Sequence, residues 1–167
     1  LRVEMQHSAI IELSLHKSLF HGDTYESARI INQIASNVLK IARASIWLLD
    51  EAEEYLVVAD LYDRLSAGHS GDLRLKVTEY PAYFNALRNG RSIAVEDIFS
   101  DARTVELHEY AQASGVISLL DSPIRVAGKF RGVVCFEDIG NNRHWQTDEI
   151  RFSGEIADQF QHVLTNA

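Results

Sequence analysis

Cysteine and proline are scarce in this sequence, whose 167 residues include one cysteine, Cys135, and two prolines. A single thiol excludes a disulfide within the chain, and proteins without disulfides are typical of reducing compartments, so we expect a cytoplasmic location. No apolar run approaches the roughly 18 residues that a membrane-spanning helix requires. We therefore expect that this chain makes no membrane contact. The expectation holds equally if the chain is the cytoplasmic part of a membrane-anchored protein.

Positive charge is also in short supply. The chain has 16 Lys and Arg against 24 Asp and Glu, which gives a formal net charge of −8. A surface that binds nucleic acid needs clustered Lys and Arg to displace counterions from phosphate, and an anionic membrane surface makes a similar demand. The basic residues here are scattered and outnumbered, so we expect no nucleic-acid partner.

Motifs of catalysis and of metal binding are lacking as well. The sequence has no Gly-rich phosphate loop, no Ser-centred nucleophile elbow and no metal-ligand spacing. His69 and His108 have polar neighbours in the sequence, and we expect both to be solvated. The prediction is a chain that is not itself an enzyme and that binds neither a cofactor nor a metal ion.

What is present is a regular succession of apolar patterns. A heptad-like pattern predicts a helix over residues 3–20, and a strongly amphipathic one predicts a helix over residues 24–42. Alternating patterns predict strands at 45–50, 55–62, 73–77, 93–95, 116–126 and 130–139. Further helices are predicted at 79–88, 105–113 and 148–165.

This order of elements predicts an α+β fold. Short turns between consecutive strands favour antiparallel pairing, and the strict strand–helix alternation of a parallel sheet is missing. We expect an antiparallel sheet of about six strands, with long terminal helices on one face and short helices over a pocket on the other. Residues 1–22 are assigned to an N-terminal signalling or linker helix, and residues 23–167 to the domain, which ends in a C-terminal helix.

The last predicted helix carries a heptad-like apolar stripe. Its members are Ile150, Ser153, Ala157, Phe160 and Leu164. Such a stripe can pair with a second copy of the chain or pack on the domain's own sheet, and the pattern leaves both open for different faces. We expect a homodimer that forms through the terminal helices.

Several strings resemble the GAF domain, a small-molecule and chromophore sensor related to the PAS domain. In chain order they are ASIWLLD (44–50), GRSIAVED (90–97), DAR (101–103), GVISLLDSPI (115–124), GVVC (132–135) and WQTDE (145–149). The resemblance covers about residues 24–165 and is closest to GAF domains that precede histidine kinase or diguanylate cyclase modules. It implies a GAF/PAS-like sheet in a regulatory input domain of a bacterial signalling protein, with an attached output module.

A candidate ligand site lies under the short helix 79–88, which has one aromatic face. Ligand pockets combine apolar walls with a few polar groups, and residues near this helix supply both. The candidates are Trp47, Tyr80, Tyr83, Phe84, Asp97, Tyr110, Ser118, Leu120 and Cys135. The same residues also suit a second hydrophobic core that holds no ligand, because GAF domains serve as plain dimerisation modules too.

Two other functions remain open at this point. Enzymes of the GAF fold reduce free methionine sulfoxide with several cysteines, since a second thiol must resolve the oxidised attacking cysteine by forming a disulfide with it, and this chain has only Cys135. A thiol- or metal-based redox sensor is the other, although a lone cysteine in a strand is more often a small buried hydrophobic residue. Some relatives carry Cys-His-Glu-His at this strand. Residues 135–138 of this chain read CFED and lack both histidines.

Overall fold

The computed structural model describes residues 1–167, and its seven strands form one sheet in which every pair is antiparallel. The strands are β1 (Arg43–Leu49), β2 (Tyr55–Asp63), β3 (Gly68–Ser70), β4 (Arg74–Lys76), β5 (Ile93–Val95), β6 (Val116–Val126) and β7 (Lys129–Ile139). Their order across the sheet is β3–β2–β1–β7–β6–β5, and β4 also pairs with β2. The predicted α+β class and the antiparallel sheet are confirmed.

One strand, β3, was not predicted. Its three residues, Gly68–Ser70, are too few to show an alternating pattern, and the glycine and serine there are typical of a loop. Pairing with β2 makes this segment a strand, because Tyr62 lies opposite His69 in the antiparallel register. A partner strand, rather than local preference, therefore determines this element.

The hairpin of β6 and β7 forms the centre of the fold. Ala127 and Gly128 connect the two strands and have φ angles of 52° and 79°, as in the tight turns that match the twist of a hairpin. On its other side β7 pairs with β1, and a Cβ atom at Gly132 would overlap the carbonyl oxygen of Trp47. Only glycine therefore permits the observed approach of β7 to β1.

Six α-helices surround the sheet. They are α1 (Arg2–Ser14), α2 (Lys17–Phe20), α3 (Thr24–Leu39), α4 (Pro81–Asn89), α5 (His108–Ser114) and α6 (Thr147–Asn166), and short 3-10 segments lie at Val77–Glu79, Ile98–Ser100 and Ala102–Leu107. None of the helices is both long and apolar enough to cross a membrane.

Two helix predictions need correction. The helix predicted over residues 3–20 is divided into α1 and α2, and α3 ends at Leu39 rather than at residue 42. Lys40 has a left-handed backbone conformation with φ 56° and ψ 43°, which cannot continue a right-handed helix. At the start of α3, Asp23 accepts a hydrogen bond from the backbone N–H of Glu26, as an N-cap does.

The long helices pack together on one face of the sheet. Their core includes Ile31 and Ala35 from α3, Phe136 from β7 and Phe160 from α6, all fully buried. The helix α1 joins this layer because its Leu13 is also fully buried, and Gln6 donates a hydrogen bond of 2.8 Å to Asp148 at the start of α6. The N-terminal helix thus contacts the domain directly.

The apolar stripe of α6 belongs to this same core. Ser153, Ala157 and Phe160 are buried, and Ile150 and Leu164 pack against the cluster while partly exposed. Of the two roles that the pattern left open, packing within the domain is the one observed for these residues. The three buried members have no surface to offer to a second copy of the chain.

The short helices α4 and α5 cover the opposite face of the sheet. A second hydrophobic cluster lies between them and the strands, with Tyr83 and Leu87 from α4, Ala111 from α5 and Leu119 and Val133 from the sheet. The helix predicted over residues 105–113 is in fact a 3-10 segment followed by α5. The predicted division into long helices on one face and short helices on the other is correct.

Candidate functional site

A cavity lies between the sheet and the helices α4 and α5, which we call the lid helices. Its apolar wall is formed by Trp47, Leu56, Leu75, Leu107, Leu119 and Val133. Its polar groups are Asp121, Cys135 and Glu137 on the floor, which the sheet forms, and Tyr83 and Tyr110 on the lid helices. The centre of a water molecule fits in only about 20 Å³ of the cavity. In this conformation the cavity therefore has room for about one water molecule.

Strand alternation determines which side chains reach the cavity. On β6, Leu119 and Asp121 face it, whereas Leu120 belongs to the core under the long helices. On β7, Cys135 and Glu137 face it together, and Cys135 lies opposite Asp121 in the register of the two strands. The two carboxylates and the thiol therefore come from neighbouring strands and share one face of the sheet.

A hydrogen bond joins the lid helix α4 to the floor. The hydroxyl of Tyr83 donates to Oδ2 of Asp121, and both side chains are buried. The other carboxylate oxygen, Oδ1, is buried without any hydrogen-bond partner. Burial raises the pKa of Asp121 to about 7, and burial together with the nearby Asp121 carboxylate raises the pKa of Tyr83. Tyr83 therefore remains a protonated donor throughout the neutral range.

The lid helix α5 makes a corresponding bond. Tyr110 donates to Oε2 of Glu137 at 2.5 Å, and Arg43 of β1 donates from Nε to Oε1 of Glu137 at 3.1 Å. The Arg43 guanidinium also donates to the Tyr110 hydroxyl at 2.7 Å. Burial, then the charge of Glu137, raises the pKa of Tyr110. Each lid helix thus contributes one tyrosine to one carboxylate of the sheet.

Cys135 lies between these two carboxylates. Its side chain is buried, and burial together with the charges of Asp121 and Glu137 raises the pKa of the thiol well above its usual value. The thiolate is the nucleophilic and metal-binding form of cysteine, so this environment disfavours the reactive species. No group of three or more His, Cys, Asp or Glu side chains is arranged to hold a metal ion.

Four of the nine residues predicted for the site line the cavity: Trp47, Tyr83, Tyr110 and Cys135. Leu120 does not, and its prediction is wrong because alternation turns it toward the long helices. Ser118 also lies elsewhere. It donates to the carbonyl of Glu96 at 2.6 Å and accepts from the backbone N–H of Arg143 at 2.7 Å.

The remaining three predicted residues do not line the cavity. Phe84 is buried in the lid cluster, with its ring centroid 6.3 Å from that of Phe130. Tyr80 is partly buried at the edge of the same cluster. Asp97 accepts a hydrogen bond of 3.0 Å from the backbone N–H of Phe99 and so caps a 3-10 segment.

Asp121 and Glu137 were not among the predicted site residues. The sequence carries a signal for both, since each is an ionisable residue that directly follows a largely apolar stretch within a long strand. Glu137 is also two positions from Cys135, which places the two side chains on the same face of a strand. A charged residue at such a position is buried only where a partner or a ligand compensates it.

The histidines also differ from expectation. His69 is largely buried on the face of the long helices, where its Nδ1 lies 2.9 Å from Oδ2 of Asp60 and its Nε2 lies 3.3 Å from Gln33. His108 is partly buried, with its ring 5.3 Å from that of Phe99. The prediction that both are solvated is wrong, because tertiary contacts cover side chains whose sequence neighbours are polar.

Arg143 joins the strands of the cavity to the long helices. Its guanidinium donates to Asp138 of β7 at 3.1 Å, to Glu149 of α6 at 2.5 Å and to the carbonyl of Leu39 of α3 at 3.0 Å. It also lies over the ring of Trp145, with a distance of 5.0 Å from Cζ to the ring centroid. Since Asp138 directly follows Glu137 of the cavity floor, this cluster connects the floor to the terminal helices.

Comparison with known proteins gives a consistent result. The GAF domain family model matches residues 23–164. The phycoerythrobilin-bound GAF domain of a cyanobacterial phytochrome has a TM-score of 0.79 at 16% identity, covering 96% of this chain and 95% of that chain. The GAF domain of the Acinetobacter phosphoenolpyruvate-protein phosphotransferase has a TM-score of 0.74 at 18% identity, covering 97% of this chain and 91% of that one.

A third similar structure is an enzyme. The free methionine-R-sulfoxide reductase of Neisseria meningitidis, solved in complex with its substrate, has a TM-score of 0.72 at 15% identity and covers 99% of this chain and 89% of its own. At these identities the similarity establishes a shared fold and nothing about ligands. No curated protein matches the sequence significantly.

Proposed function

The chain belongs to the GAF domain family, and from this membership we propose that it is a non-catalytic regulatory input domain that binds a small ligand under the lid helices. Family membership supports a regulatory or sensory role. One observation carries the proposal: each lid helix is joined to a buried carboxylate of the sheet by one tyrosine, across a cavity. A ligand that enters this cavity meets both bonds, so its binding changes how the lid helices sit on the sheet.

The route from the cavity to an output module runs through β7. Glu137 faces the cavity, and the adjacent Asp138 pairs with Arg143, which in turn bonds Glu149 at the start of α6. We propose that a shift of β7 is passed to α6 through these ion pairs. We propose that these helices lead to an attached output module, for which a histidine kinase or a diguanylate cyclase is the leading candidate.

The proposal includes a homodimer and a cytoplasmic location. The buried stripe of α6 offers little surface for pairing, whereas Ile11, Leu15 and Phe20 of the N-terminal segment are large, apolar and exposed. Large exposed apolar side chains favour association with a second copy of the chain. The measurement is the solution mass of the protein and of the Ile11→Lys variant, which is expected to shift a dimer toward monomer.

A catalytic role has less support. A sulfoxide reductase cycle needs a thiolate to attack and a second thiol to convert the resulting sulfenic acid into a disulfide, while this sequence has one cysteine whose thiol is buried with a raised pKa. The same two properties weigh against a thiol-based redox sensor. Turnover of free methionine sulfoxide that disappears in Cys135→Ser would contradict the regulatory proposal.

The proposal is tested by a metabolite screen. Compounds that raise the melting temperature are mapped by amide chemical shifts and by hydrogen exchange. The expected result is a ligand that changes the amide chemical shifts of cavity residues and alters hydrogen exchange in α4, α5 and α6. Val133→Phe fills the cavity and should abolish these responses, whereas the matched control Val57→Phe alters an exposed valine of β2 and should keep them. If every hit binds both variants equally, the cavity is not the ligand site.

A further inference from the structure

We propose that the ligand of this cavity carries a primary ammonium group, which binds Asp121, on a short aliphatic body. The inference rests on the proposed function, because it names the chemical class of the ligand of the same site. It starts from one atom: Oδ1 of Asp121 is buried without a hydrogen-bond partner, while Oδ2 accepts from Tyr83. A buried acceptor without a partner is costly, so the missing group is a hydrogen-bond donor.

The other polar groups of the site provide no strong donor to Oδ1. The hydroxyls of Tyr83 and Tyr110 are already donated to the two carboxylates. Arg43, the cation of this site, is directed at Glu137 and at Tyr110. The thiol of Cys135 interacts with the Asp121 carboxyl, but a thiol is only a weak donor. A strong donor for Oδ1 must therefore come from outside the chain.

Charge selects among the donors. The floor holds the carboxylates of Asp121 and Glu137 against the single guanidinium of Arg43, so an ionised Asp121 leaves one negative charge uncompensated. An ammonium ion neutralises that charge and offers three donors to the surrounding oxygens. A carboxylate or phosphate on the ligand would meet like charge in a buried site and is disfavoured. The site thus favours amines over acids and nucleotides.

The wall and the size of the cavity define the remainder of the ligand. Leu56, Leu107 and Leu119 present only apolar surface, which suits an alkyl chain. With room for about one water molecule, the cavity as it stands accepts little more than the head group. An alkyl body displaces Leu75 and Leu107, which lie on the short strand β4 and on a 3-10 segment rather than in the central strands.

The test compares three probes of equal chain length: n-butylammonium, 1-butanol and butyrate. Each is titrated into the protein at pH 8 while amide and indole chemical shifts are recorded. The expected result is that n-butylammonium shifts the resonances of Trp47, Asp121 and Cys135 and binds about tenfold or more tightly than 1-butanol, since a hydrogen bond to a charged group is worth about that factor. Butyrate is expected to leave these resonances unchanged.

Two controls separate this inference from the function on which it rests. Asp121→Asn should lower the affinity for n-butylammonium about tenfold without changing that for 1-butanol, whereas Asp158→Asn on the exposed face of α6 should change neither. The unaltered protein should bind n-butylammonium about tenfold more weakly at pH 5.5 than at pH 8, because Asp121 is then protonated. This second measurement stands even if Asp121→Asn does not fold.

Equal or tighter binding of 1-butanol or butyrate in the cavity would overturn the amine class and leave a ligand-binding cavity in place. If none of the three probes shifts a cavity resonance, a water molecule is the natural partner of Oδ1 and the inference fails. The metabolite screen then decides separately whether the cavity binds any ligand.

Discussion

Tyr110 of the lid helix α5 donates a hydrogen bond of 2.5 Å to Glu137 of the central strand β7, and Arg43 contacts both partners. The bond is local in space and distant in sequence, because 27 residues separate its two ends. It fixes α5 over the sheet beside the cavity, which both residues line. Together with the bond from Tyr83 to Asp121, it determines how firmly the lid is held.

The first prediction concerns this bond. Tyr110→Phe removes the hydroxyl that donates to Glu137 and accepts from Arg43, and it should lower the free energy of unfolding by about 1.5–3 kcal/mol. Tyr25→Phe is the matched control, since Tyr25 is exposed. Urea denaturation measures both effects. Equal stability of the two variants would show that the bond contributes nothing to the fold.

The second prediction concerns pH. The pKa of Asp121 is about 7 in the folded protein against an ordinary 3.8, so between these values the folded state binds a proton that the unfolded state releases. Stability from this group therefore falls as the pH rises from about 4 to 7, by a total of roughly 4 kcal/mol, and stays low above that range.

Asp121→Asn abolishes this titration, because an amide does not ionise. The free energy of unfolding of the unaltered protein, measured by urea denaturation from pH 5 to pH 8, should decline relative to that of the variant. Asp158→Asn provides the reference for an exposed aspartate. Parallel curves for Asp121→Asn and the unaltered protein would contradict the raised pKa.

The third prediction concerns the reactivity of Cys135. Its buried thiol with a raised pKa should react with an aromatic disulfide reagent about a hundredfold or more slowly than an exposed thiol, and rapidly once the protein is denatured. Asp158→Cys supplies the exposed thiol in the same molecule, so that both rates are read in one experiment. Similar rates for the two thiols would restore the redox-sensor hypothesis.

The fourth prediction concerns Arg143. Arg143→Gln removes ion pairs with Asp138 and Glu149, and the carboxylate of Glu149 is almost fully buried. We expect the free energy of unfolding to fall by about 2–3 kcal/mol, and hydrogen exchange in the first turns of α6 to become faster. Arg151→Gln is the control, since Arg151 is an exposed residue of the same helix. Unchanged exchange at α6 would remove Arg143 from the proposed route to the output module.

The fifth prediction tests whether the N-terminal helix is part of the domain. Leu13 of α1 is fully buried, whereas Ile11 of the same helix is 61% exposed. Leu13→Ala should lower the free energy of unfolding by about 2–5 kcal/mol, while Ile11→Ala should lower it by well under about 1 kcal/mol. Thermal and urea denaturation measure both. If Leu13→Ala is harmless, residues 1–22 are a linker that merely touches the domain.

Local sequence patterns gave much of the fold. The strands Ile93–Val95 and Val116–Val126 begin and end where the apolar pattern places them. Patterns alone missed Gly68–Ser70, which is a strand only by pairing with β2. They also left the stripe of α6 with two possible partners, and only packing against the sheet decided between them.

The order of helices and strands, the family resemblance, and the assignment of Tyr83 and Cys135 to the site all follow from the sequence. The tertiary structure alone decided that Leu120 faces the long helices and that Asp121 and Glu137 face the cavity. The physical reason is register, since a shift of one residue reverses the face of every side chain in a strand. Cross-strand pairing also places Asp121 beside Cys135, and no local pattern contains that contact.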